Sequence, residues 1–169
     1  DGAIFDLLGI PDDIRLLVEE FIGIRLLLDT PSAIQSVIRK PTQAELFAYA
    51  RELQNELDDF AMGSAYHQVT VNHSSELIEC VVEITRKDVK IPVNAESIKS
   101  GSVTMTQLHA TLRNLLQSPQ SQWVYVQRGL RLFDGPRVHI YKPARLIDWT
   151  RTQALNDADD IIGEVIAPA

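Results

Sequence analysis

Between Gln122 and Arg151, basic and aromatic residues interleave in a pattern that stacks flat groups and neutralises negative charge. Trp123, Tyr125, Phe133 and Tyr141 offer ring faces for bases, and Arg131, Arg137 and Lys142 offer cations for phosphates. The same residues serve equally as the inner face of a sheet that a helix covers, because aromatics bury readily. On that reading Arg131 or Arg137 pairs across the sheet with Glu79 or Glu83. Those two carboxylates lie four apart, on one face of a strand. With His67 or Asp88 they suggest a divalent-metal site for phosphodiester hydrolysis. Restriction-type nucleases pair such acids with a lysine two positions on, and Glu83-Ile84-Thr85 lacks it. His67, His73, His109 and His139 have no metal-ligand spacing. Cys80 shares register with Ile78 and Val82, which makes it a core thiol rather than a nucleophile. No glycine-rich phosphate loop is present.

The elements that must position these residues follow from periodicity. Around Asp134-Gly135-Pro136 the chain reads as a hairpin. Numbering parity puts Val124, Val126, Leu130, Leu132, Val138 and Ile140 on one face. It puts Trp123, Tyr125, Gln127, Arg131, Phe133, Arg137, His139 and Tyr141 on the other. Pro143 ends the second strand. An earlier strand pair alternates over His67–Val71 and Ile78–Ile84, with a turn at about Asn72–Ser75. Pro11-Asp12-Asp13 opens a helix carrying Ile14, Leu17, Val18, Phe21 and Ile22 at helical spacing, to about Leu28. The stretch 31–41 is a linker with room for a helical turn. Thr42–Glu45 is a capping box for a helix striped with Leu46, Tyr49, Ala50, Leu53, Leu57 and Phe60 and stopped at Gly63. A short strand is expected at Val89–Val93, within a loop. Thr104 and Gln107 start a further helix through Leu116, and Thr150 and Gln153 start the last one.

The 169 residues suit one domain, 1–169, with a helical lead over 1–63 and a sheet portion over 64–169. The net charge of −7 is uneven: 5 basic and 12 acidic residues over 1–60, but 6 basic and 2 acidic over 122–151. An acidic total argues against indiscriminate DNA binding and leaves room for a local basic site. It equally suits docking of acidic helices on a basic partner. No apolar run approaches the roughly 20 residues of a membrane span. The start lacks the pattern of a secretory signal, and the lone cysteine fits the cytoplasm. The chain begins without Met, as an excised segment or a piece of a longer polypeptide does.

Ser121-Gln122-Trp123-Val124-Tyr125, Leu130-Arg131-Leu132-Phe133, Lys142-Pro143 and Trp149 to Leu155, together with Leu7-Leu8-Gly9-Ile10-Pro11 and Val18-Glu19-Glu20-Phe21, carry a resemblance. The chain resembles the C-terminal part of uncharacterised bacterial proteins associated with DNA-modification and anti-phage defence genes. The resemblance implies a nucleic-acid or defence-complex setting and carries over no catalytic position. Methyltransferase signatures are absent, so such a link would make the chain an accessory or recognition portion.

The expectation is therefore an α+β fold. A mainly antiparallel sheet of four to five strands (ββαββα) follows two leading helices and is packed by three to four helices. The expected function is non-enzymatic binding of nucleic acid or a co-encoded protein within a bacterial DNA-processing or defence assembly, without cofactor. The alternatives are a protein-interaction subunit using the acidic N-terminal helices, and a metal-dependent nuclease.

Overall fold

The computed structural model describes residues 2–25, 31–74, 77–85, 90–101 and 129–166. Among the described residues four helices precede the first strand, where the sequence suggests two: α1 (Gly2–Leu7), α2 (Asp12–Glu20), α3 (Pro31–Ile38) and α4 (Gln43–Ala61). Pro11, at φ −57°, and the first-turn acids Asp12 and Asp13 start α2 as expected. Its last turn widens into a π-helical turn over Phe21–Arg25. The stretch expected as a linker is α3. Proline suits a helix start, and Ile34, Val37 and Ile38 follow at helical spacing, with Val37 buried. The backbone N–H of Leu146 donates to the Arg39 carbonyl at the end of α3, 2.8 Å away.

Helix α4 forms as its sequence dictates. Glu45 N–H donates to the Thr42 hydroxyl, and Thr42 N–H donates to the Glu45 carboxylate at 2.8 Å. Arg39 holds the same carboxylate, and this pairing more than any other contact lowers the Glu45 pKa to about 2. Met62 at φ 48° and Gly63 at φ 79° end the helix in left-handed geometry.

The sheet has five strands in the order β3-β1-β2-β5-β4. These are β1 (Tyr66–His73), β2 (Leu77–Thr85), β3 (Ile98–Ser100), β4 (Leu130–Asp134) and β5 (Arg137–Pro143). All pairs are antiparallel except β1 with β3. The third strand lies at Ile98–Ser100, whereas residues 90–93 of the stretch expected as a strand have no regular structure and Val89 lies outside the described residues. The buried amide of Gln54 explains the shift. It donates to the carbonyls of His67 and Ile91 and accepts from the Val93 N–H at 3.1 Å, so a side chain satisfies this backbone. Asn94 then caps a short turn over Ala95–Ser97, which delivers Ile98 beside Val71. The helix expected from Thr104 to Leu116 lies outside the described residues.

Helix α5 (Arg151–Ile166) lies with α4 on one sheet face. Val69, Val71, Ile78, Cys80, Val82, Val138 and Ile140 meet Leu46, Tyr49, Leu53, Leu57, Ala154, Ala158 and Ile161 there. Tyr49 and Trp149 meet edge to face at 4.9 Å, and the Trp149 indole N–H donates to the Pro143 carbonyl. Cys80 is fully buried, and burial pushes its thiol pKa far up, so it is a core residue. Among the described residues, no helix is long and apolar enough to cross a membrane.

Candidate functional site

The hairpin turn decides where the basic and aromatic residues go. Asp134 pairs with Arg137 across Gly135-Pro136, and Gly135 sits at φ 57°. A two-residue turn gives partners whose numbers differ by an odd amount, so even residues of β4 lie beside odd residues of β5. Phe133 is opposite Val138 and Arg131 opposite Ile140, whereas Leu132 is opposite His139 and Leu130 opposite Tyr141. Carrying one parity across the hairpin is therefore wrong. Arg131 and Phe133 share the helix-covered face with Val138 and Ile140, while Arg137, His139 and Tyr141 point to the far face.

The site residues expected from sequence do not form one basic surface. Arg131 reaches α5 and pairs with Asp160 and with Glu164, the latter at 3.4 Å. Lys142 is buried. Its ammonium bonds the buried carboxylate of Asp157 and sits 5.6 Å from the Trp149 ring centre and 5.7 Å from that of Tyr49. Tyr49 donates to the same carboxylate at 2.5 Å. Arg137 pairs with Glu83 at 3.2 Å, one of the cross-sheet pairs the sequence suggested. Tyr141 is buried and donates to Glu79 at 2.7 Å. Phe133 is exposed near the hairpin tip. Trp123 and Tyr125 lie outside the described residues.

Glu79 gathers three donors on the far face: Tyr141, Asn72 at 2.9 Å and His139 at 3.0 Å. Burial alone would raise its pKa, but the hydrogen bonds from His139, Tyr141 and Asn72 outweigh burial and hold it below the ordinary carboxylate value. His139 and Tyr141 stack nearly parallel, 6.2 Å between ring centres. Glu79 and Glu83 thus face protein donors. Among the described residues, no group of three His, Cys, Asp or Glu side chains is placed to hold a metal ion. His67 bonds Asp58 of α4.

Two concavities flank α5. One, of about 400 Å³, is polar; Arg131, Lys142, Asp157, Asp160 and Glu164 line it between the hairpin and α5. The other, of about 460 Å³, is apolar. It lies between α2 and the start of α5, lined by Ile14, Leu17, Val18, Phe21, Ile24 and Ile147. Glu20 sits in its wall and accepts from the N–H groups of Arg151 and Thr152, so α2 caps α5 across the groove. The Thr150 hydroxyl also accepts from the Gln153 N–H, at 3.2 Å, as the capping pattern suggests.

The groove is not legible in the sequence. The stripe Ile14, Val18, Phe21 and Ile22 signals an amphipathic helix, but those side chains stay exposed while Leu16 is buried. Ile4, Leu7, Leu8, Ile34 and Ile38 are exposed as well. Within residues 1–60, only the pairing of a strong apolar stripe with 12 acidic residues hints at such a surface. No protein-family model, curated protein or solved structure matches the chain.

Proposed function

We propose that the chain is an accessory domain that binds a protein partner through its N-terminal helices. The observation that carries this reading is the crowding of exposed apolar side chains into residues 4–38. Among the described residues, nine of the 15 exposed large apolar side chains fall there, on helices whose buried side is thin. Exposed apolar side chains concentrated in one segment in this way support an interaction surface. The resemblance noted above supports a setting within a bacterial DNA-modification or defence assembly, with a co-encoded protein as the partner. Nucleic-acid contact is the second reading. It rests on Phe133 and Arg137 at the hairpin tip, whose side chains are about half exposed.

Light scattering of the chain mixed with each co-encoded protein tests the first reading. Anisotropy with labelled single- and double-stranded oligonucleotides tests the second. A stoichiometric complex lost on Leu7→Lys with Phe21→Lys, without oligonucleotide binding, supports the protein partner. Salt-sensitive oligonucleotide binding lost on Arg137→Ala, with no protein complex, overturns it. Arg137→Ala is the cleaner control because Arg131 is tied to α5.

A further inference from the structure

The apolar groove lies beside concentrated negative charge. Glu56 of α4 is surrounded by Asp159 of α5, Asp59 and Glu52 of α4, and Asp13 of α2; burial and then these neighbours raise its pKa. Of these five carboxylates, Glu52 is partly compensated by Arg151 at 2.9 Å. Asp13 precedes Ile14 of the groove wall, and Asp159 follows Asn156 of that wall by one helical turn. The acids therefore border the apolar lining on both helices. The hydroxyl of Thr152, also in the wall, is buried without a hydrogen-bond partner among the described residues.

From the apolar lining and its acidic border we infer that the α2–α5 groove takes a basic amphipathic helix of the protein partner. This rests on the partner-binding reading above. An amphipathic helix lays apolar residues at positions i, i+3, i+4 and i+7 into such a groove. Lysines and arginines flanking that stripe would meet Asp13, Glu56, Asp59 and Asp159. The same acids repel phosphate, so a nucleic acid or an anionic membrane is a poor occupant. The volume, about 460 Å³, suits a few large side chains rather than a whole helix, so the contact centres on two or three anchors seated among Leu17, Val18 and Phe21.

The probe is a fluorescein-labelled peptide of about 18 residues, five helical turns, with leucines on one stripe and lysines elsewhere. Its controls are a scrambled peptide of equal composition and a version with glutamate for lysine. The basic amphipathic peptide should bind the chain at least about tenfold more tightly than either control. Val18→Lys should weaken it about tenfold or more, and Glu56→Lys with Asp159→Lys should do likewise. Ile84→Lys, at an exposed position outside both the groove lining and the N-terminal helices, should leave the affinity within about twofold. Equal binding of the scrambled peptide, equal binding to Val18→Lys, or no binding overturns the groove assignment. Circular dichroism and the unfolding midpoint show whether each variant folds. If the co-encoded complex survives Val18→Lys but not Leu7→Lys, the partner surface stands and the groove falls. If no co-encoded protein binds the wild-type chain, the partner reading itself fails.

Discussion

Asp157→Ala removes the carboxylate that holds Lys142 and Tyr49 together inside the fold. Lys142, Asp157 and Tyr49 are all buried, and Tyr49 is fully so. Burial, then the neighbouring Asp157 charge, raises the Tyr49 pKa well above the ordinary phenol value, so the group is a neutral donor to Asp157. The variant strands an ammonium between the Tyr49 and Trp149 rings with no anion, and leaves the phenol without its acceptor. Breaking a buried pair on one side costs about 3–5 kcal/mol. The lost phenol bond would add about 1–3 kcal/mol if independent, but it belongs to the same network, so the total stays near the upper end. For a chain of this size, 3–5 kcal/mol lowers the thermal midpoint by about 6–20 °C. Urea unfolding followed by Trp fluorescence and circular dichroism measures it. Lys142→Met with Asp157→Leu should recover all but about 1–2 kcal/mol, because a packed apolar pair replaces both charges. A loss below about 1 kcal/mol for Asp157→Ala, or no recovery in the double variant, refutes the argument that Lys142 is a structural anchor between β5 and α5.

Three further outcomes follow from the geometry. Glu20→Ala should cost about 1 kcal/mol in urea unfolding by uncapping α5 at Arg151 and Thr152, with Glu20→Gln retaining part of the loss. Glu79 and Glu45 both sit lower in the folded chain than in the unfolded one. Their stabilisation is complete above the ordinary carboxylate range and drains as pH falls through the folded values, for Glu45 from about 4.3 toward about 2. Acid titrations of Glu79→Gln and Glu45→Gln should each lose part of this slope, read by circular dichroism. Cys80 should resist a thiol-reactive disulfide reagent in the folded chain and react within the dead time after denaturation, because burial disfavours its thiolate.

Where local chemistry and burial point the same way, the sequence is legible. The Thr42–Glu45 box, the α4 stripe over Leu46–Leu57 and the alternation of β2 over Ile78–Val82 recur in the structure, whereas Phe60 and Ile84, expected on the same buried faces, are exposed at the ends of their elements. The hairpin forms around Gly135-Pro136 as the sequence indicates, but over β4 its two faces are the reverse of those expected, and the part of the expected strand before Gly129 lies outside the described residues. A two-residue turn swaps parity between strands, and Arg131 beside Leu130 and Leu132 gave no sign of which neighbour faced the helix. The strand at Ile98–Ser100 was hidden because it depends on Gln54, an amide 37 residues upstream of the backbone it satisfies. Helical spacing in Ile14–Ile22 correctly marked an amphipathic helix. It could not say that the stripe would remain outside the core, because periodicity reports which residues share a face, not what covers it. The α2–α5 groove needs Glu20 at the start of α5, a contact 131 residues apart in sequence.

Whether the N-terminal helices bind a protein partner is decided by light scattering of the wild-type chain and of its Leu7→Lys/Phe21→Lys variant with each co-encoded protein. A complex of defined stoichiometry is expected with the wild type and none with the folded variant; a complex that persists in the variant would rule out the N-terminal helices as the partner surface.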